Sequence, residues 1–265
     1  QVVALSTDQV TGLNTRTVQA LSTDAIAALT TGQIEVINTA GLAALTTSQV
    51  KALSTDAVIA LSTYQVANLT TGTMAALSTA QVAAIETTDI QALSTKQLAG
   101  LATGTVSALT TDQVIALTTY QVGNLSTATL KALSSDQIAA IETTDIQVLT
   151  TGQLAGLATS TVAALTTDQV VALTTYQIGN LSTATLKALS SDQLVAIETT
   201  DIQALKTSQL ATLATSTVAA LSTDQIQALL TSQLGALSTS GVRALSTDQV
   251  VALSTDQVTG LNTRT

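Results

Sequence analysis

The chain lacks cysteine, proline, histidine, tryptophan and phenylalanine, and its only aromatic side chains are three tyrosines. Without cysteine it has no disulfide bonds and no thiolate chemistry. Without histidine, its many serine and threonine hydroxyls lack the usual general base, which argues against an enzyme. Because large aromatic residues dominate most globular cores, their near absence predicts a thin, uniform core of aliphatic side chains.

Charge is also scarce. Charged residues are 9% of the chain, and Lys and Arg number only 8 against 17 Asp and Glu. This composition offers no basic stripe, so we expect no nucleic-acid partner. No apolar run approaches the ~20 residues that span a bilayer, because Ser or Thr interrupts every repeat, and no signal peptide is recognised. We therefore expect no membrane insertion.

What the chain does have is an eight-residue repeat without insertions or deletions. We label its positions a to h, with Leu5 at a, so that the unit is Leu-(Ser/Thr)-Thr-Asp-Gln-Val-x-Ala. Position a is Leu or Ile in all 33 copies, position f is always Val, Ile, Leu or Met, and position c is Thr or Ser. Such regular self-similarity predicts a solenoid, in which each unit packs only on its neighbours.

The period selects the secondary structure. A continuous helix would rotate the apolar stripe by about 80° per octad, and a continuous strand would leave neither face apolar. We predict instead an all-α solenoid with one very short helix per octad. Thr7 is the preferred N-cap, because position c always carries a hydroxyl. The alternative register, with Ser6 as the cap of a capping box, is left open. In either register the Asp at position d lies in the first helical turn.

Short helices joined by sharp corners must coil. Three octads per coil leave room for a small core of Leu, Val and Ala, whereas four would leave a wider interior that these residues would fill poorly. We therefore favour 24 residues per coil and 11 coils, which would form a rod of roughly 100 Å.

A longer period lies over the octad. Tyr64, Tyr120 and Tyr176 are spaced by seven octads, which indicates duplication of a block. The chain begins and ends within a repeat, and its first 17 residues recur as residues 249–265. We therefore expect residues 1–265 to be a single continuous octapeptide-repeat solenoid and a segment of a longer chain.

The repeat resembles a known family, and the resemblance is clear in the segments Leu13-Asn14-Thr15, Leu53-Ser54-Thr55-Asp56 and Leu221-Ser222-Thr223-Asp224-Gln225-Ile226. They resemble the repeat tracts of very large secreted or surface proteins of Gram-negative bacteria, described as adhesin-like or RTX-associated. The resemblance implies a triangular α-solenoid, the Toblerone fold, and the role of an extracellular spacer or stalk. It implies no catalytic residues.

Three patterns resemble possible sites, and each has a simpler structural explanation. Position-d aspartates could bind calcium, but their column is interrupted, and a solvated first-turn charge explains them better. The pairs Glu86/Asp89, Glu142/Asp145 and Glu198/Asp201 could be acid/base carboxylates, but they look like surface decoration. The threonine columns could bind ice, but capping by Thr7-type hydroxyls would occupy them. The aspartates concerned are Asp8, Asp24, Asp56, Asp112, Asp136, Asp168, Asp192, Asp224, Asp248 and Asp256.

We therefore predict no catalytic, cofactor-binding or metal-binding residues, and no cofactor. The predicted function is a structural spacer or stalk of a large bacterial surface or secreted protein. The alternative is a binding module that displays regular Thr or Asp arrays to ice, a glycan or calcium. The expected partner is the chain itself, end to end and head to tail, because its terminal octads carry no polar caps.

Overall fold

Residues 2–261 are described by a computed structural model. Within that range the regular structure is a 3-10 helix at Val2–Ala4 and 32 α-helices of four to seven residues, with no strand. Every α-helix begins at position c of its octad. The predicted all-α fold with one very short helix per octad is confirmed.

The helices form two compact units, residues 1–140 and residues 141–265. The prediction of one continuous solenoid over residues 1–265 stays a prediction. The helices of the first unit are α1 Thr7–Thr11, α2 Thr15–Ala20, α3 Thr23–Ala27, α4 Thr31–Val36, α5 Thr39–Ala43, α6 Thr47–Ala52, α7 Thr55–Ile59, α8 Thr63–Ala67, α9 Thr71–Ala76, α10 Thr79–Ala83, α11 Thr87–Ala92, α12 Thr95–Gly100, α13 Thr103–Val106, α14 Thr111–Ile115, α15 Thr119–Gly123, α16 Thr127–Ala132 and α17 Ser135–Ala139. Those of the second unit are α18 Thr143–Ile146, α19 Thr151–Gly156, α20 Thr159–Ala163, α21 Thr167–Val171, α22 Thr175–Gly179, α23 Thr183–Ala188, α24 Ser191–Val195, α25 Thr199–Ile202, α26 Thr207–Leu210, α27 Thr215–Ala220, α28 Thr223–Ala228, α29 Thr231–Leu234, α30 Thr239–Arg243, α31 Thr247–Ala252 and α32 Thr255–Leu261.

The N-cap of each helix lies at position b, so the preference for position c was wrong and the alternative register is the observed one. Thr110 shows the geometry: its backbone is extended, with φ −73° and ψ 159°, and its hydroxyl accepts the N–H of Gln113 at 3.1 Å. In some octads position b holds a residue that cannot cap, such as Ala102, which is why the sequence favoured position c. The structure tolerates such residues, because the helix after Ala102 begins without any side-chain cap.

The corner between helices needs neither glycine nor proline. At the end of α14 the N–H of Leu117 donates to the carbonyl of Val114 at 3.2 Å, and Thr118 then adopts an extended conformation, with ψ 153°. In the described part of the chain, no residue has a positive φ. Extended residues at positions a and b, such as Leu53 with ψ 134° and Ser54 with ψ 161°, are thus enough to redirect the chain, which explains how a sequence without proline coils so sharply.

In both units most helices pack against the helix three places further along. In the first unit α8 lies on α11 and α9 on α12, and in the second α20 lies on α23 and α28 on α31. Three octads therefore complete one coil, as predicted. Positions a and f form the core: Val114 and Leu117, for example, are 1% and 5% exposed.

The three tyrosines at position d lie outside this core. Their side chains are 71–73% exposed, and the sequence contains no other aromatic residue. This confirms that position d faces solvent and that the core is built from aliphatic side chains without aromatic residues.

Candidate functional site

Position e of the octad has a structural role that the sequence pattern did not predict. In the capping-box register its glutamine was expected to bond only within its own helix, yet nearly all of these glutamines are almost completely buried. Gln113 and Gln121 are 2% exposed and Gln169 is 1% exposed. Buried polar side chains must find hydrogen-bond partners, so these glutamines call for a structural explanation.

Gln121 shows how its amide is satisfied from two directions. Its Oε1 accepts the backbone N–H of Thr118, the N-cap of its own helix, at 2.8 Å. Its Nε2 donates to the carbonyls of Ile90 at 2.8 Å and Leu93 at 2.7 Å, which belong to the preceding coil. One side chain therefore caps its own helix and fastens that helix to the coil before it.

The arrangement recurs through both units, and we call it the glutamine ladder. Each member donates from Nε2 to carbonyls 28 residues earlier and, in nearly every case, also 31 residues earlier. The members are Gln33, Gln49, Gln65, Gln81, Gln97, Gln113, Gln121 and Gln137 in the first unit and Gln169, Gln177, Gln193, Gln209, Gln225, Gln233, Gln249 and Gln257 in the second.

A signal for this burial was present in the sequence. Position e carries Gln in most octads and otherwise Thr, Asp, Ala or Gly, but never Lys, Arg, Glu or a large apolar residue. A solvent-exposed helical position would accept Lys or Glu freely. The restriction indicates a position with limited room and a fixed hydrogen-bonding task.

Three octads replace the ladder glutamine by aspartate, and here the prediction of surface decoration was wrong. Asp89 and Asp145 are 2% exposed and Asp201 is 5% exposed, because position e faces the preceding coil. Their partners Glu86, Glu142 and Glu198 lie at position b and are exposed, as expected. The two carboxylates of each pair therefore occupy different environments.

The buried carboxylates are incompletely satisfied. The hydroxyl of Thr175 donates to Oδ1 of Asp201 at 2.6 Å. Among the described residues, however, Oδ2 of Asp89 and Oδ1 of Asp145 have no hydrogen-bond partner. Burial raises the pKa of Asp89; a hydrogen bond from Thr63 lowers it, and the nearby charge of Glu86 raises it further. Asp at position e is therefore a weak point in the ladder.

The position-d aspartates lie where the sequence predicted. All ten are exposed, and each occupies the first turn of its helix, where a carboxylate interacts favourably with the helix dipole. Within residues 2–261 no group of three or more acidic side chains could hold a metal ion.

The threonines of position c differ from the prediction. They are the first helical residues and do not cap, so capping does not occupy their hydroxyls, although those of Thr63 and Thr175 donate to Asp89 and Asp201 of the next coil. Thr31, Thr55 and Thr79 lie in stacked helices of the first unit, and their hydroxyls make no hydrogen bond within the described residues. Thr55 and Thr79 are exposed and Thr31 is also on the surface. The stack therefore displays a row of free hydroxyls.

Among residues 2–261, no helix has the length and apolar character needed to span a membrane.

Comparison with known proteins gives the repeat a family. The pattern described as the ALTTAQ repeat matches seven segments, residues 2–36, 34–71, 82–119, 119–151, 138–175, 194–231 and 228–263. No curated protein matches the chain. The structure explains the six letters at Ala108–Gln113: a corner alanine, a core leucine, a capping threonine, two residues of the first turn and a ladder glutamine. The seven matches cover most of the sequence, and the chain therefore belongs to the ALTTAQ repeat family.

Proposed function

We propose that the chain is a structural spacer, a stalk-like repeat tract of a large bacterial surface or secreted protein, without catalytic activity. The observation that carries this proposal is that each recurrent position of the octad has its own structural role. Position b caps, positions a and f form the core, and the most frequent residue at position e joins the coils. The recurrent residues are thus engaged in holding the coils together.

The exposed positions support the same function. Position d varies among Asp, Tyr, Gly, Ala, Ser, Thr, Lys and Arg, which does not suit a single ligand repeated along the chain. The mild acidic excess suits a soluble stalk that contacts neither nucleic acid nor the membrane interior. An extracellular or cell-surface location and a triangular, Toblerone-type solenoid follow from the resemblance to adhesin-like tracts.

Register-preserving deletion tests the spacer. Removal of residues 87–110, one complete coil, leaves every remaining ladder glutamine with equivalent carbonyls. The helicity per residue should therefore stay unchanged. Small-angle scattering should report a particle that is shorter by ~8–10 Å. Removal of residues 87–106 breaks the octad and should lower helicity and thermal stability. If both deletions were equally harmless, length and register would not matter, and the proposal would be wrong.

A second candidate is supported by the exposed threonine row of position c. Free hydroxyls at a regular spacing form a polar lattice that a binding module could present to ice or to a glycan, with calcium at position d as a further variant. An ice-recrystallisation assay and a glycan array distinguish the two functions. The spacer predicts no activity at micromolar protein, whereas activity that is lost when Thr31, Thr55 and Thr79 are replaced by Lys would favour the binding module.

A further inference from the structure

Three octads carry an asparagine at position h, where most octads carry alanine. Position a of the next octad then supplies Leu, and position b supplies Thr or Ser. The result is an Asn-x-Ser/Thr sequence without proline, the sequon to which N-linked sugars are attached. The three sequons are Asn68-Leu69-Thr70, Asn124-Leu125-Ser126 and Asn180-Leu181-Ser182.

Each sequon lies at a corner between two helices. Asn68 follows the last residue of α8 and is exposed, and Thr70 is the exposed N-cap of α9, with ψ 158°. Leu69, between them, is 7% exposed and belongs to the core. Asn124 and Ser126 are exposed in the same way. The amide and the hydroxyl of a sequon are therefore accessible, while its leucine anchors the corner.

The amide nitrogen of each sequon has one hydrogen to spare. Nδ2 of Asn68 donates to the carbonyl of Tyr64, and Nδ2 of Asn124 donates to the carbonyl of Tyr120, both at 2.8 Å. Within residues 2–261 each of these two atoms makes no other hydrogen bond. Because a side-chain amide carries two N–H groups, the second can be replaced by a bond to a sugar. The bond that holds the asparagine side chain in place then remains.

Every sequon asparagine is accompanied by a tyrosine four residues earlier, and the chain has no tyrosine elsewhere. Residues four apart are neighbours on a helix surface. The rings of Tyr64 and Tyr120 are 71% and 73% exposed and take no part in the core. An aromatic ring beside the amide offers an apolar surface against which the C–H face of a sugar can pack.

We propose that Asn68, Asn124 and Asn180 accept N-linked sugars in the folded chain, from a donor whose sugar is activated through a diphosphate. Nδ2 forms a bond to C1 of the sugar, and the bond between C1 and the diphosphate oxygen breaks. The diphosphate leaves with the electron pair, and the amide loses one proton. This inference goes beyond the proposed spacer function, because a spacer need not carry a sugar.

The third site differs from the other two in one contact. Nζ of Lys206, 26 residues after Asn180, donates to Oδ1 of Asn180 at 2.8 Å. Asn180 and Ser182 are half-buried, whereas Asn68 is exposed and has Ser94 in place of the lysine. Transfer to Asn180 should therefore be slower than transfer to Asn68.

Transfer to the folded 265-residue chain tests the proposal, with UDP-glucose and a soluble N-glycosyltransferase specific for Asn-x-Ser/Thr. Intact-mass spectrometry should show up to three added hexoses, and peptide mapping should place them at Asn68 and Asn124 first and at Asn180 last. A synthetic peptide of residues 64–72 is the positive control for the transferase. Circular dichroism of the modified chain should match that of the parent, because the hydrogen bond to the carbonyl of Tyr64 is kept.

Matched variants identify the groups that matter. Asn68→Gln should remove one hexose without loss of helicity, and Thr70→Ser should keep it, because serine preserves both the sequon and the N-cap. Lys206→Ser should bring the rate at Asn180 to that at Asn124, since it removes the covering ammonium group.

Three results would overturn the proposal. They are a folded chain that gains no hexose while the peptide does, a chain that gains hexose only after unfolding in urea, and equal transfer to Asn14 and Asn38, which lie outside sequons. Loss of helicity on modification would also contradict it, because the amide would then have surrendered the hydrogen bond that holds the corner.

Discussion

Replacement of Gln121 by alanine removes one complete rung of the glutamine ladder. The part-buried N–H of Thr118 loses its acceptor, and the carbonyls of Ile90 and Leu93 lose a buried donor. An unsatisfied buried polar group costs about 1–3 kcal/mol, but the Ile90 carbonyl keeps its bond from the Leu93 N–H at 3.2 Å. We therefore expect Gln121→Ala to lower the free energy of unfolding by about 2–4 kcal/mol.

The assay is urea unfolding followed by circular dichroism, with the slope of the transition compared among variants. Gln91→Ala is the matched control, because Gln91 is an exposed glutamine at position g of a coil in the same unit. Its removal should change the stability by less than about 0.5 kcal/mol. If Gln121→Ala were as mild as Gln91→Ala, the ladder would contribute nothing, and the argument would be refuted.

Gln121→Glu separates hydrogen bonding from packing. The carboxylate keeps the side-chain length and can still accept the N–H of Thr118, but it turns a negative oxygen toward two carbonyls. Burial beside carbonyl dipoles raises the pKa of such a carboxyl in the folded state. The variant should therefore be most stable below the ordinary pKa of Glu and lose stability as pH rises through the raised pKa. A pH-independent cost would contradict this account.

Three further predictions concern the cap, the core and the buried aspartate. Thr110→Ala should cost about 0.5–2 kcal/mol in a denaturant series, and Thr111→Ala should cost less, because only Thr110 caps its helix; the reverse order would contradict the register. Leu117→Ala should cost about 2–5 kcal/mol by the same measurement, since a narrow core cannot close over the cavity; a loss below 1 kcal/mol would show that position a is not core. Asp89→Asn should raise the melting temperature at neutral pH, because burial disfavours the carboxylate and so raises the pKa of Asp89. The gain should vanish as pH falls below 3.8, since Asp89 is then protonated as well. A pH-independent gain would contradict this cause.

The sequence alone predicted most of the architecture because the octad is so uniform. Its period excluded long helices and strands, its apolar positions a and f identified the core, and its residue sizes favoured three octads per coil. The predicted position of the N-cap was wrong because positions b and c both carry hydroxyls in most octads. Ala102 seemed incompatible with a cap at position b, but a short helix packed from above and below can begin without one.

The glutamine ladder was missed for a different reason. Glutamine is usually exposed, so its burial is not expected from its chemistry. It becomes intelligible only when residues 28 and 31 positions earlier are known to lie opposite it, as Leu93 and Ile90 do for Gln121. The same missing information made Asp89 look exposed. Three octads per coil were predicted, but that number does not determine which side of each helix faces the preceding coil.

The stacking of residues 24 positions apart is the central claim, and paired labels test it most directly. The chain has no native cysteine, so two exposed position-d residues can be replaced by Cys and labelled with pyrene. Tyr64 and Thr88 lie in α8 and α11, which pack on each other, and helices in contact lie ~8–10 Å apart. The pair at Tyr64 and Thr88 should show strong excimer fluorescence, and the pairs Tyr64 with Ala80 and Tyr64 with Lys96 should show little. A stronger excimer signal from Ala80 would mean two octads per coil, one from Lys96 would mean four, and either result would contradict the 24-residue coil.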